Sequence, residues 1–342
     1  MLIDCSDIQL DRMSPKTDFE MEVFEFLKET LSDKTKTTVK TSGSTGIPKL
    51  FEVEKARMFA SAKMTCDFLR LKKGDSAALC MPVEYISGKM MLIRAIERGL
   101  KLQVFTPKTE ALSQLNLPID FCALTPLQVE NSLTKLKLIK NLIIGGAGVS
   151  ESLKKKIYQH LDNEKHTIYE TYGMSETLSH IALKKIYPIS EDYFTSFENV
   201  EISTDTRGCL QIFSPQINSE FLITNDLVEI INDKQFRFLG RIDNVINSGG
   251  AKIFPEKIES FLKKEVSAEL IVTSIKDEHL GEKMILVIEG QDDDKLRNSI
   301  FNLSFERKLD RPKQIVFIDK MPRTPNGKVS RLDLKQQLKE LL

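Results

Sequence analysis

Between residues 77 and 170 short apolar runs alternate with amphipathic stretches, and that alternation limits the folds open to this chain more than any other feature. The runs at 77–81, 102–105, 121–124 and 142–144 are short and nearly all apolar, as strands buried on both faces are. Helical patterns at 88–98 and 126–133 separate them. Strands joined by helices imply a mainly parallel sheet with covered faces, which is an α/β domain. Upstream, Phe19, Val23, Phe26, Leu27 and Leu31 give 18–31 the spacing of an amphipathic helix. Residues 36–41 alternate like a strand, and Met58, Ala62, Cys66 and Leu69 mark a second helix that ends near Gly74.

The pattern then changes twice. After residue 186, short alternating runs at 200–202, 209–213, 221–224, 228–231 and 235–239 predict antiparallel strands of a small barrel-like lobe. From residue 254 the chain reads as α+β, with a helix at 255–264, strands at 270–274 and 284–288, a polar break at Gln291-Asp292-Asp293-Asp294, a further helical stretch and a strand at 314–318. With 342 residues, 41% of them hydrophobic, the chain is long enough for more than one core.

Charge and reactive residues exclude several classes of function. Lys+Arg and Asp+Glu both number 49, so no basic excess points to nucleic acid. The five cysteines, Cys5, Cys66, Cys80, Cys122 and Cys209, are scattered and form no Cys-x-x-Cys pair, which predicts reduced thiols in a cytoplasm. The four histidines lack metal-ligand spacing. No basic leader precedes an apolar run, and no apolar stretch approaches the ~18 residues a membrane helix needs, so neither export nor membrane insertion is expected.

The chemistry concentrates in polar loops at the ends of these strands. In Thr41-Ser42-Gly43-Ser44-Thr45-Gly46-Ile47-Pro48-Lys49, hydroxyls and glycines alternate, so backbone N–H and side-chain O–H groups can converge on an anion without a Cβ in the way. The spacing is not that of a Walker loop; read alone, the string is also an ordinary polar turn. Gly145-Gly146-Ala147-Gly148 ends a strand in small residues, which lets a flat ring lie near the backbone or simply turns the chain into a helix capped by Ser150. Thr171 to Thr177 holds an aromatic ring, hydroxyls and a carboxylate within a few residues. Pro322 to Lys328 contains two prolines and a glycine, a stiff loop presenting one lysine.

Ser-Gly-Ser-Thr-Gly-x-Pro-Lys at 42–49 resembles the signature loop of the adenylate-forming superfamily: acyl-CoA synthetases, adenylation domains and luciferases. Further motifs follow in the family's order: Thr171-Tyr172-Gly173-Met174-Ser175-Glu176-Thr177, Thr224-Asn225-Asp226, Gly240-Arg241-Ile242-Asp243 with Ser248-Gly249-Gly250, and Pro322 to Lys328. The resemblance implies that Thr41, Ser42, Gly43, Ser44, Thr45, Gly46 and Lys49 grip ATP phosphates and that Gly146 and Ala147 border the adenine, with Gly173 in the same site. Tyr172 would stack on the base, Thr171 and Thr177 would donate to the α-phosphate, and Glu176 with Thr45 would hold Mg²⁺. Asp226 would take both ribose hydroxyls and Arg241 would meet the ribose and phosphate edge. Asp243 would be a hinge between an AMP-binding domain, 1–242, and a mobile domain, 243–342, that carries the adenylation lysine Lys328 and presents Gly249 and Gly250 to a thiol. Members usually carry a far longer segment before the phosphate loop, so the 40 residues here imply a shortened first lobe.

The family's Pro-x-x-His-x-x-Gly element, which lines the acyl pocket, is matched by residues 82–88 with Glu84-Tyr85 in place of an aromatic-His pair. Tyr85, Ser87 and Lys89 are the candidate substrate contacts; a strand end with a helix cap at Ser87 is the alternative. The implied chemistry is attack of a carboxylate on the α-phosphorus of ATP, then thioester formation with coenzyme A. The chain is similar to the short o-succinylbenzoate–CoA ligases of menaquinone biosynthesis. Other aryl or short-chain acids, loading of a carrier protein and a nonenzymatic nucleotide-binding relic are the competing readings. Lys89 and Arg94 are candidates for a second carboxylate, with surface salt bridges as their competing role.

Overall fold

The computed structural model describes residues 1–40, 50–162, 164–323 and 329–341. The first elements are β1 (Leu2–Asp4), α1 (Asp18–Leu31), β2 (Lys36–Lys40), β3 (Leu50–Glu54), α2 (Lys55–Phe68), β4 (Ser76–Leu79), α3 (Ile86–Arg98), β5 (Lys101–Val104), β6 (Ile119–Leu124), α4 (Pro126–Glu130), β7 (Ile139–Ile144), α5 (Glu151–His160) and β8 (Thr167–Gly173). Local chemistry sets their ends. Thr17 accepts the N–H of Glu20 at the start of α1, Thr125 and Gln128 form a reciprocal cap on α4, and Ser150 caps α5 as expected. Ser87 is not a cap: α3 starts one residue earlier, after Tyr85, and Ser87 is exposed inside its first turn.

Strands β5, β4, β6, β7 and β8 pair in parallel, in that order. Both faces are covered, and the pleat sorts the residues. Ala77, Leu79, Phe121, Ala123 and Ile143 face α2 and α3, while Ala78, Cys122, Leu124, Leu142 and Ile144 face the side of α4 and α5. The strand expected before residue 41 is one arm of a hairpin outside this sheet, paired with β3 from Lys36↔Glu54 to Lys40↔Leu50.

The antiparallel strands are β9 (His180–Tyr187), β10 (Phe194–Ser196), β11 (Glu201–Thr204), β12 (Cys209–Ser214), β13 (Asn218–Asn232) and β14 (Gln235–Arg241). They were expected as a separate lobe, but they continue the parallel strands into one twelve-stranded path, β1-β5-β4-β6-β7-β8-β9-β10-β14-β13-β12-β11. The splice is β8, parallel to β7 on one edge and antiparallel to β9 on the other. The runs at 221–224 and 228–231 are one strand, β13, whose register against β14 shifts at Leu227/Val228 and again at Ile230/Asn232.

A second sheet follows. It holds β15 (Ile246–Ser248), β16 (Ala251–Ile253), β17 (Leu270–Asp277), β18 (Gly281–Glu289) and β19 (Gln314–Ile318), with helices α6 (Pro255–Leu262), α7 (Asp294–Phe301) and α8 (Arg331–Leu341). Ile258, Leu262 and Ile300 pack on one face, and Leu334 and Leu338 of α8 on the other. The terminal helix was missed because only two leucines in a polar stretch mark its buried side. It is anchored by Arg331, which donates to both oxygens of buried Glu259 at 2.6 and 2.7 Å and to the Val272 carbonyl at 2.8 Å. Among the described residues no helix is long and apolar enough to cross a membrane.

Removing one partner of a buried ion pair strands the other. Arg331→Met is expected to destabilise the protein by about 3 kcal/mol in urea unfolding, and Glu259→Met/Arg331→Met by clearly less. Equal losses would mean that the pair is not what holds α8.

Candidate active site

The site forms where the sheet curls. Four steps along the strand order separate β8 from β13, roughly 19 Å for a flat sheet at the usual strand spacing. Yet the Tyr172 hydroxyl donates to Asp226 Oδ2 at 2.6 Å. The antiparallel half therefore bends back over the end of β8, and the ring of Tyr172 is enclosed by Phe194, Phe236 and Phe238. Burial first, and the neighbouring Asp226 charge second, push the Tyr172 phenol far above its usual range, so it remains a donor at neutral pH. On the other side of Asp226 its register partner Arg241 brings Nη1 to 3.5 Å from Oδ1. Arg241 also donates to Asp243 Oδ2 at 2.9 Å.

The small-residue turn meets the same strand end. A Cβ at position 145 would lie 2.7 Å from Thr171 Oγ1, so glycine lets the turn approach that hydroxyl. Gly146 follows in the left-handed region at φ +87°. The residue that braces this turn was not anticipated: buried Glu170 accepts the Val149 N–H through Oε1 at 3.1 Å and pairs with Lys184 at 2.8 Å. Lys184 Nζ lies 4.6 Å from the centre of the Phe194 ring. A carboxylate at an inward position of β8, between Ile168 and Tyr172, was the available signal.

The remaining candidates divide. Glu176 is exposed and makes no hydrogen bond or ion pair among the described residues, which suits a metal held mostly by phosphate oxygens. Thr177 is 1% exposed; its hydroxyl accepts the Met174 N–H and is within hydrogen-bonding distance of the Met174 and Ser179 carbonyls, so a phosphate contact would require this turn to open. Gly249 and Gly250 form the β15–β16 turn, tied to the Leu280 carbonyl, and no described contact joins them to Asp226. Thr41, Ser42, Gly43, Ser44, Thr45, Gly46 and Lys49, like Lys328, lie outside the described residues. The pairs Lys40↔Leu50 and Arg323↔Val329 flank those two stretches.

The acyl-pocket candidates are largely committed elsewhere. Among the described residues Lys89 makes no surface salt bridge: Nζ donates to the Thr38 carbonyl at 2.6 Å and sits 4.7 Å over the Phe26 ring, tying α3 to β2 and α1. Glu84, which stands where the family pattern has an aromatic residue, is ion-paired with Lys40, and Tyr85 bridges to the same lysine's backbone. Arg94 is not a surface residue either. It is 2% exposed, donates to Ser179 Oγ at 2.5 Å, leaves Nε without a partner and has no carboxylate partner among the described residues. Burial lowers its pKa only to about 10, so it stays charged. Ser179 Oγ is also 3.2 Å from His180 Nδ1, and His180 Nε2 is 3.1 Å from Thr65 Oγ1.

Burial first and the Arg94 charge second hold His180 well below its ordinary value of 6.5, so it is neutral in the folded protein. A neutral buried histidine stabilises fully above the unfolded-state pKa and loses that contribution as the pH falls below about 6.5. Urea unfolding between pH 7 and 5 is expected to show a shallower loss for His180→Gln than for the parent, by up to about 1.4 kcal/mol per pH unit. Parallel slopes would mean that His180 already titrates normally.

The AMP-binding enzyme family model matches residues 25–199. The 2-succinylbenzoate–CoA ligase of Staphylococcus epidermidis is 24% identical over 331 residues, covering 87% of this chain and 69% of that protein. An acyl-CoA synthetase (AMP-forming)/AMP-acid ligase II-like protein of Dyadobacter fermentans, of solved structure, is 32% identical with a TM-score of 0.66, covering 99% of this chain and 100% of the other. The o-succinylbenzoate coenzyme A synthetase of Bacillus subtilis, solved with ATP and magnesium ion, shares the fold at a TM-score of 0.72 and 19% identity, over 89% of this chain and 69% of that one. A family match over more than half of the sequence, around a strand end that carries the Tyr172–Asp226–Arg241 group, makes this chain a member of the AMP-binding enzyme family, in the class of AMP-forming acid–thiol ligases.

Proposed function

We propose that the protein joins a carboxylic acid to ATP as an acyl-adenylate, releasing pyrophosphate, and then passes the acyl group to the thiol of coenzyme A, releasing AMP. The observation that carries this reading is Asp226: one oxygen is fixed by Tyr172 and the other faces Arg241, so a preset carboxylate waits where two vicinal hydroxyls of a ribose can donate. The turn at 145–148, held by Glu170, is the wall for the base, and Thr171 is the nearest hydroxyl to it. The 41–49 loop and Lys328 supply positive and N–H donors for the phosphates, where charge accumulates as the acid's oxygen bonds to phosphorus and the bond to pyrophosphate breaks. Mg²⁺, held by Glu176, would add its charge to that neutralisation. Residues 243–342 act as a mobile domain that brings Lys328 in for adenylation and withdraws it for thiol attack.

For the acid, o-succinylbenzoate is the first choice. Two observations support it: the names of relatives such as the Staphylococcus epidermidis ligase, and a buried guanidinium at Arg94 with no carboxylate partner among the described residues, which suits a substrate with a second carboxylate. An open hollow in the connection between α7 and β19, lined by Phe305, Lys308, Arg311 and Lys313, suits the phosphates and base of coenzyme A as acceptor. The five buried, unpaired cysteines suit a reducing cytoplasm.

ATP–pyrophosphate exchange over a panel of acids, followed by AMP release with and without coenzyme A, tests the whole scheme. Exchange without thioester would point to carrier loading, and no exchange with any acid would refute adenylation. Lys328→Ala is expected to slow exchange by orders of magnitude yet leave thioester formation from a preformed acyl-adenylate nearly intact; equal losses would oppose the two-position scheme. Arg94→Met should raise KM for a dicarboxylic acid about a hundredfold and leave its monocarboxylic analogue within a few fold. Equal effects on both would remove Arg94 from substrate recognition.

A further inference from the structure

The large sheet ends at Arg241 and the small one begins at Ile246, so the chain crosses between them once, through the single turn Ile242–Asn244. Any change in how the two units face each other must rotate backbone bonds in that connector. Its central residue is held by two neighbours. Arg241 donates to Asp243 Oδ2 at 2.9 Å. Asn225 Nδ2 reaches Asp243 Oδ1 and Oδ2 at 3.3 and 3.2 Å. Asn225 is oriented in turn by Arg207, which donates to its Oδ1 at 3.1 Å, to the Thr224 carbonyl at 3.0 Å and to Asp205 Oδ2 at 2.8 Å. The Arg207 contact matters chemically: an asparagine whose oxygen is taken by a guanidinium must present its NH₂ to the aspartate.

We propose that Asn225 is a positioning residue that holds the Asp243 connector in this arrangement, with Arg207 as its anchor. The sequence motif around it asks only backbone of position 225, yet here its side chain spans from the site strand to the crossing point. The network also touches the nucleotide-side carboxylate. Arg241 is shared between Asp243 and Asp226, so a ligand that draws Asp226 toward itself alters the competition for Arg241, whereas Asn225 holds Asp243 without involving Asp226. Asp243 is held below the usual carboxylate range by Arg241 first and Asn225 second, in keeping with an ionised acceptor.

The structural consequence stands without the ligase reading; the kinetic consequence rests on it. In the full chain, the initial rate of trypsin cleavage at Arg241–Ile242 is expected to rise about fivefold in Asn225→Gly, the range expected for losing one or two exposed hydrogen bonds. The rise should be larger in Asn225→Asp, which opposes two carboxylates, and smaller in Asn225→Gln, which keeps the amide. Arg207→Met, which leaves positions 225 and 243 intact, should also raise it and covers the case in which Asn225→Gly folds poorly. Rates within twofold of the parent in Asn225→Asp and Arg207→Met would overturn the proposal. In the two half-reactions, Asn225→Gly should change the ratio of adenylation to thioester formation several-fold, whereas equal loss of both would count against a positioning role. If the parent activates no acid at all, the ligase reading fails while the cleavage comparison still decides the role of Asn225.

Discussion

The hydrogen bond from Tyr172 to Asp226 is the contact on which the geometry of the site depends, because it is made between strands that a flat sheet would hold far apart. It exists because β8 pairs in opposite senses along its two edges, and because the antiparallel strands beyond it curl until Phe194, Phe236 and Phe238 close on the Tyr172 ring. A buried, charge-assisted hydrogen bond of this kind contributes roughly 1.5–3 kcal/mol, and losing either partner leaves the other unsatisfied in an apolar setting. The same contact fixes one oxygen of Asp226 and leaves the second beside Arg241.

Charged groups inside the larger core follow a pattern. Glu170 is buried but has Lys184 and the Val149 N–H, and its role is to brace the turn beside the site. Lys89 is half-buried and satisfied by a carbonyl and an aromatic face. Arg94 differs: it is buried, stays charged, and among the described residues its guanidinium has only Ser179 for a hydrogen-bond partner. Burying an unpaired guanidinium is costly, and its charge adds to the burial that keeps His180 neutral. Lys55, also buried, donates to the Thr30 and Ser32 carbonyls at 3.2 and 3.0 Å, so what separates Arg94 from these lysines is a buried Nε left without a partner.

Much of this was legible in the residues themselves. Apolar runs at 77–81, 121–124 and 142–144 are strands of a sheet covered on both faces, and Ser150 caps the helix it was assigned to. Lys89 was harder, since a charge in a motif looks like a ligand contact until its partner, the Thr38 carbonyl, is known. Arg94 was discounted as a surface residue because helical periodicity tells which side of a helix is apolar but not that the neighbouring side is also covered, here by the Ser179–His180 segment.

The sequence by itself determined the alternation of strands and helices, the order of the motifs and the chemical identity of the groups at 171–177 and 224–243, because these depend on periodicity and on the chemistry of single side chains. Tertiary structure alone decided that the antiparallel strands extend the parallel sheet, that Tyr172 meets Asp226, and that Asn225 reaches Asp243. Those outcomes depend on which strand edges pair and how far the sheet curls, a balance of many weak contacts between residues far apart in the chain that no local stretch encodes.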